Sequence, residues 1–174
     1  MKMFLKGEWA DGRKCAEVVN PYNGDTVDTV PVGTVADITS ALDGLVEGAK
    51  VMRAMPVHQR VEILRKTGRL IQNHQQELGR LISTEEGKVL AEGLIEAGRA
   101  AETFDLSADE ARNQHGETIP LDSTPGGVGK LGFTLRVPCG IVAAITPFNF
   151  PLNLVAHKVG PAIAGGNAVL LKPA

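Results

Sequence analysis

Apolar residues recur at helical spacing through the first part of the chain and gather into short unbroken runs near its end. Ile38, Leu42, Leu45, Ala49 and Met52 follow Thr34 and Asp37, a pair at capping-box spacing, and predict a first helix. Pro56 stands where a first-turn proline belongs, and Val57, Val61, Leu64, Gly68 and Ile71 carry the same period into a second helix. Leu78, Leu81 and Ile82 mark a further helix that Gly87 is placed to end. Ala91, Leu94, Ile95, Gly98, Ala101, Asp105 and Ala108 mark a long one running toward Gly116. Each apolar stripe is narrow and the remaining faces are charged, so these helices must pack on something. Ahead of them, Glu17-Val18-Val19 and Thr26 to Pro31 flank Asn20-Pro21-Tyr22-Asn23-Gly24-Asp25, and an Asn-Gly between β-prone runs predicts a hairpin.

From Gly116 the texture changes to Gly/Pro/Ser/Thr punctuation, which marks a boundary or connector. Phe133 to Val137 alternates like a half-exposed strand, whereas Ile141 to Ile145 is apolar throughout, as a strand buried on both faces of a parallel sheet would be. A helical stretch, Leu152 to Ala164, and the turn Gly165-Gly166-Asn167 lead to a second apolar run, Ala168 to Leu171. Strand, helix and strand in this compass make one βαβ unit. The expected class is therefore α/β. A hairpin and helical part covers residues 1–115, a connector with outer strands 116–137, and the first βαβ unit of a parallel sheet 138–174.

Composition narrows the function. The 174 residues carry 18 Lys+Arg against 20 Asp+Glu, with one Trp, one Tyr and five Phe, which supplies neither the positive field nor the stacking platform of a nucleic-acid binder. Cys15 and Cys139 form no C-x-x-C pair and no disulfide framework, and the N-terminus has no apolar region long enough for a signal peptide, so a cytoplasmic location is expected. Val137 to His157 is uncharged and about as long as the ~20 residues of a membrane span. Its Pro138, Pro147 and Pro151, with Asn149 and Asn153, leave polar groups that hydrocarbon cannot satisfy, and no membrane partner is expected.

A right-handed crossover puts the C-terminal ends of both apolar strands on one edge of the sheet, where open α/β folds bind ligands. That edge displays Thr146 to Phe150 and Lys172-Pro173. Asn149, just before the helix, reads either as an oxyanion-type donor or as an N-cap, and Lys172 either as a cationic donor to a polar ligand or as a solvated strand end. Gly127-Val128-Gly129-Lys130-Leu131-Gly132 satisfies G-x-G-x-x-G but follows no buried strand and opens no helix, so it reads as a flexible loop. The four histidines are scattered and no cysteine lies at ligand spacing, so no metal site is expected. Cys15 and Cys139 read as structural, buried thiols, and Glu85-Glu86 before Gly87-Lys88 as a solvated helix end.

The run Arg136-Val137-Pro138-Cys139-Gly140-Ile141-Val142-Ala143-Ala144-Ile145-Thr146-Pro147-Phe148-Asn149-Phe150-Pro151-Leu152 carries a resemblance, continued by His157-Lys158, Gly160-Pro161-Ala162, Gly166-Asn167 and Leu171-Lys172-Pro173-Ala174. It resembles the NAD(P)-dependent aldehyde dehydrogenase superfamily. Gly7-Glu8-Trp9, Asn20-Pro21-Tyr22-Asn23-Gly24 and Glu85-Glu86-Gly87-Lys88 agree with the N-terminal region of that family. The wording is closest to the branch acting on lactaldehyde, phosphonoacetaldehyde or glyceraldehyde phosphate. The resemblance implies a truncated form of the family's Rossmann-like fold with oligomerisation-type strands. It also implies oxidation of an aldehyde to a carboxylate through a cysteine thiohemiacetal and thioester.

By that resemblance Asn149 is the catalytic asparagine. Ile145, Thr146, Pro147, Phe148, Lys172, Pro173 and Ala174 bind NAD or NADP, and Phe150, Leu154 and His157 line the substrate tunnel. The complete protein is then a homo-oligomer, dimer or tetramer, acting on a small-molecule aldehyde. The nucleophilic cysteine and general-base glutamate of the family have no counterpart here, so the expectation is an N-terminal piece that is inactive alone. The rival expectation is a non-catalytic nucleotide-binding or assembly module, with residues 116–137 as its interaction arm.

Overall fold

A computed structural model describes residues 1–174. The chain opens with a small hairpin that the hydrophobic pattern does not announce, β1 (Met3–Leu5) antiparallel to β2 (Glu8–Ala10), turning through Lys6 and Gly7, both at positive φ. The expected hairpin follows: β3 (Cys15–Val19) pairs antiparallel with β4 (Thr26–Pro31) around the Asn-Gly loop.

Four helices come next: α1 (Val35–Ala54), α2 (Val57–Asn73), α3 (Gln75–Glu86) and α4 (Leu90–Arg112). Thr34 and Asp37 close the capping box that starts α1. The core forms where α2, α3 and a later helix pack on α4, around Val61, Leu64, Ala100, Phe104 and Ala108. The buried face of α4 keeps Ala101 and Ala108 of the expected stripe but is otherwise shifted. It runs through Gly93, Ala97, Ala100, Ala101, Phe104, Ala108 and Ala111, while Ile95 is exposed. Small side chains let neighbouring helices approach closely, and a face of Ala and Gly carries too weak a hydropathy to stand out against a branched Ile on the other side. Backbone approaches backbone closely at Gly79 and Gly93, where a Cβ on Gly93 would stand 2.5 Å from the Gly79 carbonyl oxygen.

The connector holds β5 (Thr118–Ile119) antiparallel to β6 (Gly132–Phe133), with two 3-10 turns between them. The strand expected over Phe133 to Val137 stops at Phe133. Thr134 still donates to the Glu117 carbonyl, but beyond it Leu135 and Val137 face solvent with no partner strand to extend the ladder. No helix follows the G-x-G-x-x-G run.

The βαβ unit is present: β7 (Ile141–Ile145) and β8 (Ala168–Lys172) are parallel and joined by α5 (Asn153–Ala164). The two-faced burial expected of β7 is not. Within that strand only Ala144 is buried. A two-stranded sheet leaves each strand one open edge, and α1 and α5 cover only part of the pair. Both cysteines also depart from the expected burial. Cys15 is exposed at the start of β3, and Cys139 is exposed ahead of β7 with its thiol 3.1 Å from Asn167 Oδ1. No helix is long and apolar enough to cross a membrane, and no group of His, Cys, Asp and Glu is placed to hold a metal ion.

Candidate functional site

Parallel pairing brings the expected residues to one edge. Ile145 lies opposite Lys172 in register, and the chain continues from there into Thr146 on one strand and Pro173-Ala174 on the other. Lys172, Pro173, Ala174, Pro147, Phe148 and Asn149 are exposed, as is Ile145. Thr146 is buried, and its amide donates to the Lys172 carbonyl at 3.3 Å. Its Oγ1 is buried without a partner, a state that costs about 1–3 kcal/mol unless a further group supplies one. Leu154 is half-buried and His157 exposed, on α5.

Asn149 is not the N-cap of α5. The helix begins at Asn153, and the cap position is Leu152, whose own side chain makes no cap hydrogen bond. The first free amides, of Leu152 and Asn153, instead donate to Glu96 Oε1 at 2.9 and 3.2 Å. A carboxylate from α4 therefore occupies the positive end of the helix, where negative charge is favoured. The Asn149 side chain engages none of the chain's own groups, which leaves its carboxamide donors free. Its carbonyl, by contrast, accepts a 2.8 Å hydrogen bond from Lys88 Nζ.

Lys88 is the hub of this corner. Its ammonium donates to Glu96 Oε2 at 2.7 Å and lies 4.1 Å from the Phe150 ring centre. Glu86 Oε2 stands 3.1 Å from Nζ, an ion-pair distance off the line of a hydrogen bond. The Lys88 side chain is 9% exposed and that of Glu96 0%, so Glu85-Glu86-Gly87-Lys88 is not the solvated helix end expected. Gly87 ends α3 in the left-handed region at φ 79°, and the Ser83 hydroxyl donates to the Lys88 carbonyl at 2.6 Å. Together they turn Lys88 back against α4.

Burial alone would lower the Lys88 pKa, but its contacts with Glu96 and Glu86 outweigh that and raise it above the ordinary lysine value. Glu85 is pushed up, first by burial and then by the charges of Glu86 and Glu96. It lines an apolar hollow of about 140 Å³ with Leu78, Leu81, Ile82, Pro151 and Leu152. A larger polar groove of about 630 Å³ passes Arg136, Cys139 and Asn167. It lies at the entry ends of β7 and β8, the opposite edge of the sheet.

Neither Lys88 nor Glu96 was among the expected site residues. The available signal was Glu96 itself, a carboxylate three residues after Gly93 and four before Ala100 on the small-residue face of α4. The edge thus offers a free carboxamide on a braced loop, an exposed ammonium at Lys172 and an unpaired buried hydroxyl at Thr146. That set can hold a polar ligand and donate to an oxygen that gains negative charge.

Residues 9–174 match the sequence pattern described as the aldehyde dehydrogenase family. The chain is 41% identical over 172 residues to 3-sulfolactaldehyde dehydrogenase of Priestia aryabhattai, covering 99% of this chain and 36% of that protein. It is 36% identical over 171 residues to lactaldehyde dehydrogenase of Methanocaldococcus jannaschii, covering 98% and 35%. In three dimensions it is similar to the NADP-dependent glyceraldehyde-3-phosphate dehydrogenase of Bacillus halodurans C-125 complexed with NADP. The TM-score is 0.95 at 32% identity, over 99% of this chain and 37% of that one. The chain therefore spans about a third of the length of the curated relatives it matches.

Proposed function

The chain belongs to the aldehyde dehydrogenase family, and from that membership we propose that it forms the N-terminal part of an NAD(P)-dependent enzyme oxidising a small polar or anionic aldehyde to a carboxylate. The observation that carries this reading is the free carboxamide of Asn149, presented at the C-terminal strand edge on a loop whose backbone Lys88 holds. As a nucleophile adds to the aldehyde carbon, the carbonyl oxygen gains negative charge, and the Asn149 N–H donates to it. Phe150, Leu154 and His157 flank the place where the substrate would lie.

The residues at this edge fit a dinucleotide. Ile145 and Phe148 offer apolar surface, Thr146 Oγ1 lacks a partner, and Lys172 extends an ammonium from the strand end, with Pro147, Pro173 and Ala174 completing the floor. Bound NAD(P) would accept the hydride that leaves the aldehyde carbon.

The thiol nucleophile is not among these residues. Cys139 stands at the opposite edge of the sheet from Asn149, and Cys15 opens a strand of the N-terminal hairpin. The 174-residue chain alone therefore oxidises no aldehyde. Exposed Val128, Leu131, Phe133, Leu135 and Val137 support pairing between copies, and the two free thiols support a reducing, cytoplasmic setting.

The test is aldehyde-dependent formation of reduced nucleotide, with lactaldehyde, succinate semialdehyde and glyceraldehyde 3-phosphate as substrates. It compares this chain with the longer polypeptide we propose it belongs to. Oxidation by the longer protein alone is expected, with kcat falling about 10²–10³-fold in Asn149→Ala. Nucleotide binding without oxidation in the longer protein would replace this reading by the non-catalytic module. Oxidation by the 174-residue chain would overturn the statement about its thiols.

A further inference from the structure

We propose that Lys88 and Glu96 are positioning residues for Asn149: the ammonium fixes the loop backbone, and the carboxylate fixes the first turn of α5. This rests on the reading of Asn149 as the oxyanion donor. Three observations carry it. The hydrogen bond from Lys88 Nζ to the Asn149 carbonyl, at 2.8 Å, is the one bond that ties the backbone of Pro147 to Asn149 to the rest of the chain. The same ammonium is locked at 2.7 Å to Glu96 Oε2, whose other oxygen takes the amides of Leu152 and Asn153. Both side chains are removed from water, at 9% and 0% exposure, so neither is free to wander as a surface pair would.

The result is a brace with two anchors, one at the Asn149 carbonyl and one at the amides of Leu152 and Asn153, tied through the buried Lys88–Glu96 ion pair. The carboxamide is left free while the backbone that carries it is not. A donor that must meet an oxygen only as charge develops gains from this, since misplacement by about 1 Å can lower a rate about 10²-fold. The ammonium suits the task because it donates separately to Glu96 and to the Asn149 carbonyl while keeping Glu86 at ion-pair distance, as a compact charge with rotatable N–H donors can.

The test has two readouts. In this chain, hydrogen exchange is compared between the hydrogen-bonded amides of Leu152, Asn153 and Leu154 and the α2–α4 core for wild type, Lys88→Met and the double variant Lys88→Met/Glu96→Gln. The double variant removes the fully buried Glu96 charge together with that of Lys88, leaving only the partly exposed Glu86 carboxylate, and so keeps the test usable where the single one unfolds. Exchange at Leu152, Asn153 and Leu154 is expected to rise about ten-fold or more, with core exchange unchanged. In the longer protein, the double variant should lower kcat about ten-fold or more while the KM for nucleotide holds, and Lys88→Arg should restore part of it.

A uniform rise in exchange through the core, or no rise at Leu152 and Asn153, overturns the proposal. So does an unchanged kcat in the folded double variant while Asn149→Ala is impaired. If Asn149→Ala leaves kcat intact, the oxyanion reading itself falls, and exchange at Leu152 and Asn153 still decides whether the brace exists.

Discussion

Replacing Gly93 by Ala tests whether the helices that deliver Lys88 and Glu96 cross as closely as the structure has them. A Cβ at this position would stand 2.5 Å from the Gly79 carbonyl oxygen and 3.6 Å from its Cα. Carbon and oxygen meet without strain from about 3.3 Å, so α3 and α4 would have to part by roughly 0.8 Å, the difference between the two. Backbone faces backbone there, and no flexible side-chain end is available to yield. Overpacking of this kind costs about 1–3 kcal/mol, against a gain of up to ~1 kcal/mol because Ala favours the helix more than Gly. With a rigid neighbour the cost belongs in the upper half of its range, which leaves a net loss of about 1–2 kcal/mol.

Gly48 on α1 is the internal control. A Cβ there would lie 3.8 Å from Ala168 Cβ, an ordinary contact, and Gly48→Ala should stabilise by about 0.4–1 kcal/mol. In a domain of this size 1 kcal/mol moves the midpoint by about 2–4 °C. Thermal and urea unfolding followed by far-UV circular dichroism should therefore place Gly93→Ala about 2–8 °C below wild type and Gly48→Ala up to about 4 °C above it. If Gly93→Ala rose in step with Gly48→Ala, the close crossing would be wrong. The account of how Lys88 reaches Glu96 would fail with it.

Leu64 is fully buried at the centre of the α2–α4–α5 core, so Leu64→Ala should lower stability by about 2–5 kcal/mol; a urea midpoint within error of wild type would refute that placement. Glu85 carries a pKa raised above its ordinary 4.5, so its ionisation works against the fold: the penalty is absent below that value, sets in as pH rises toward the folded pKa, and is complete above it. Glu85→Gln should thus be more stable than wild type near pH 7, with the advantage vanishing toward about pH 4; an advantage that grew on acidification would contradict the sign. Because Glu85 is only partly buried, the gain should stay below about 1 kcal/mol.

Local periodicity was enough to place α1, α2, α3 and the βαβ unit, because a helix stripe, a capping box and an apolar run are each written within a few residues of one another. Properties set by distant neighbours were not legible. The burial of Ile141 to Ile145 depends on how many strands flank it, and a two-stranded sheet leaves Ile145 exposed however apolar the run. The buried face of α4 depends on how closely three helices approach, and Ala and Gly permit an approach that Ile95 would block. The Phe133 to Val137 alternation is a strand's pattern with no strand to pair it beyond Phe133.

The same distinction explains why the edge was legible and the brace behind it was not. Asn149 and Lys172 follow from strand order alone, since parallel pairing must bring both strand ends to one side. Lys88 and Glu96 join Asn149 and Leu152 across long stretches of sequence, and no spacing rule links them. Yet Gly87 contains half of the answer. It was legible as a helix stop, and a stop in the left-handed region also reverses the chain, so the next residue is turned back toward the helix that follows. A cation placed after such a glycine, with a carboxylate on the small-residue face of the following helix, has a buried partner within reach. Reading the cap for its direction as well as its position would have moved Lys88 from the surface to the site.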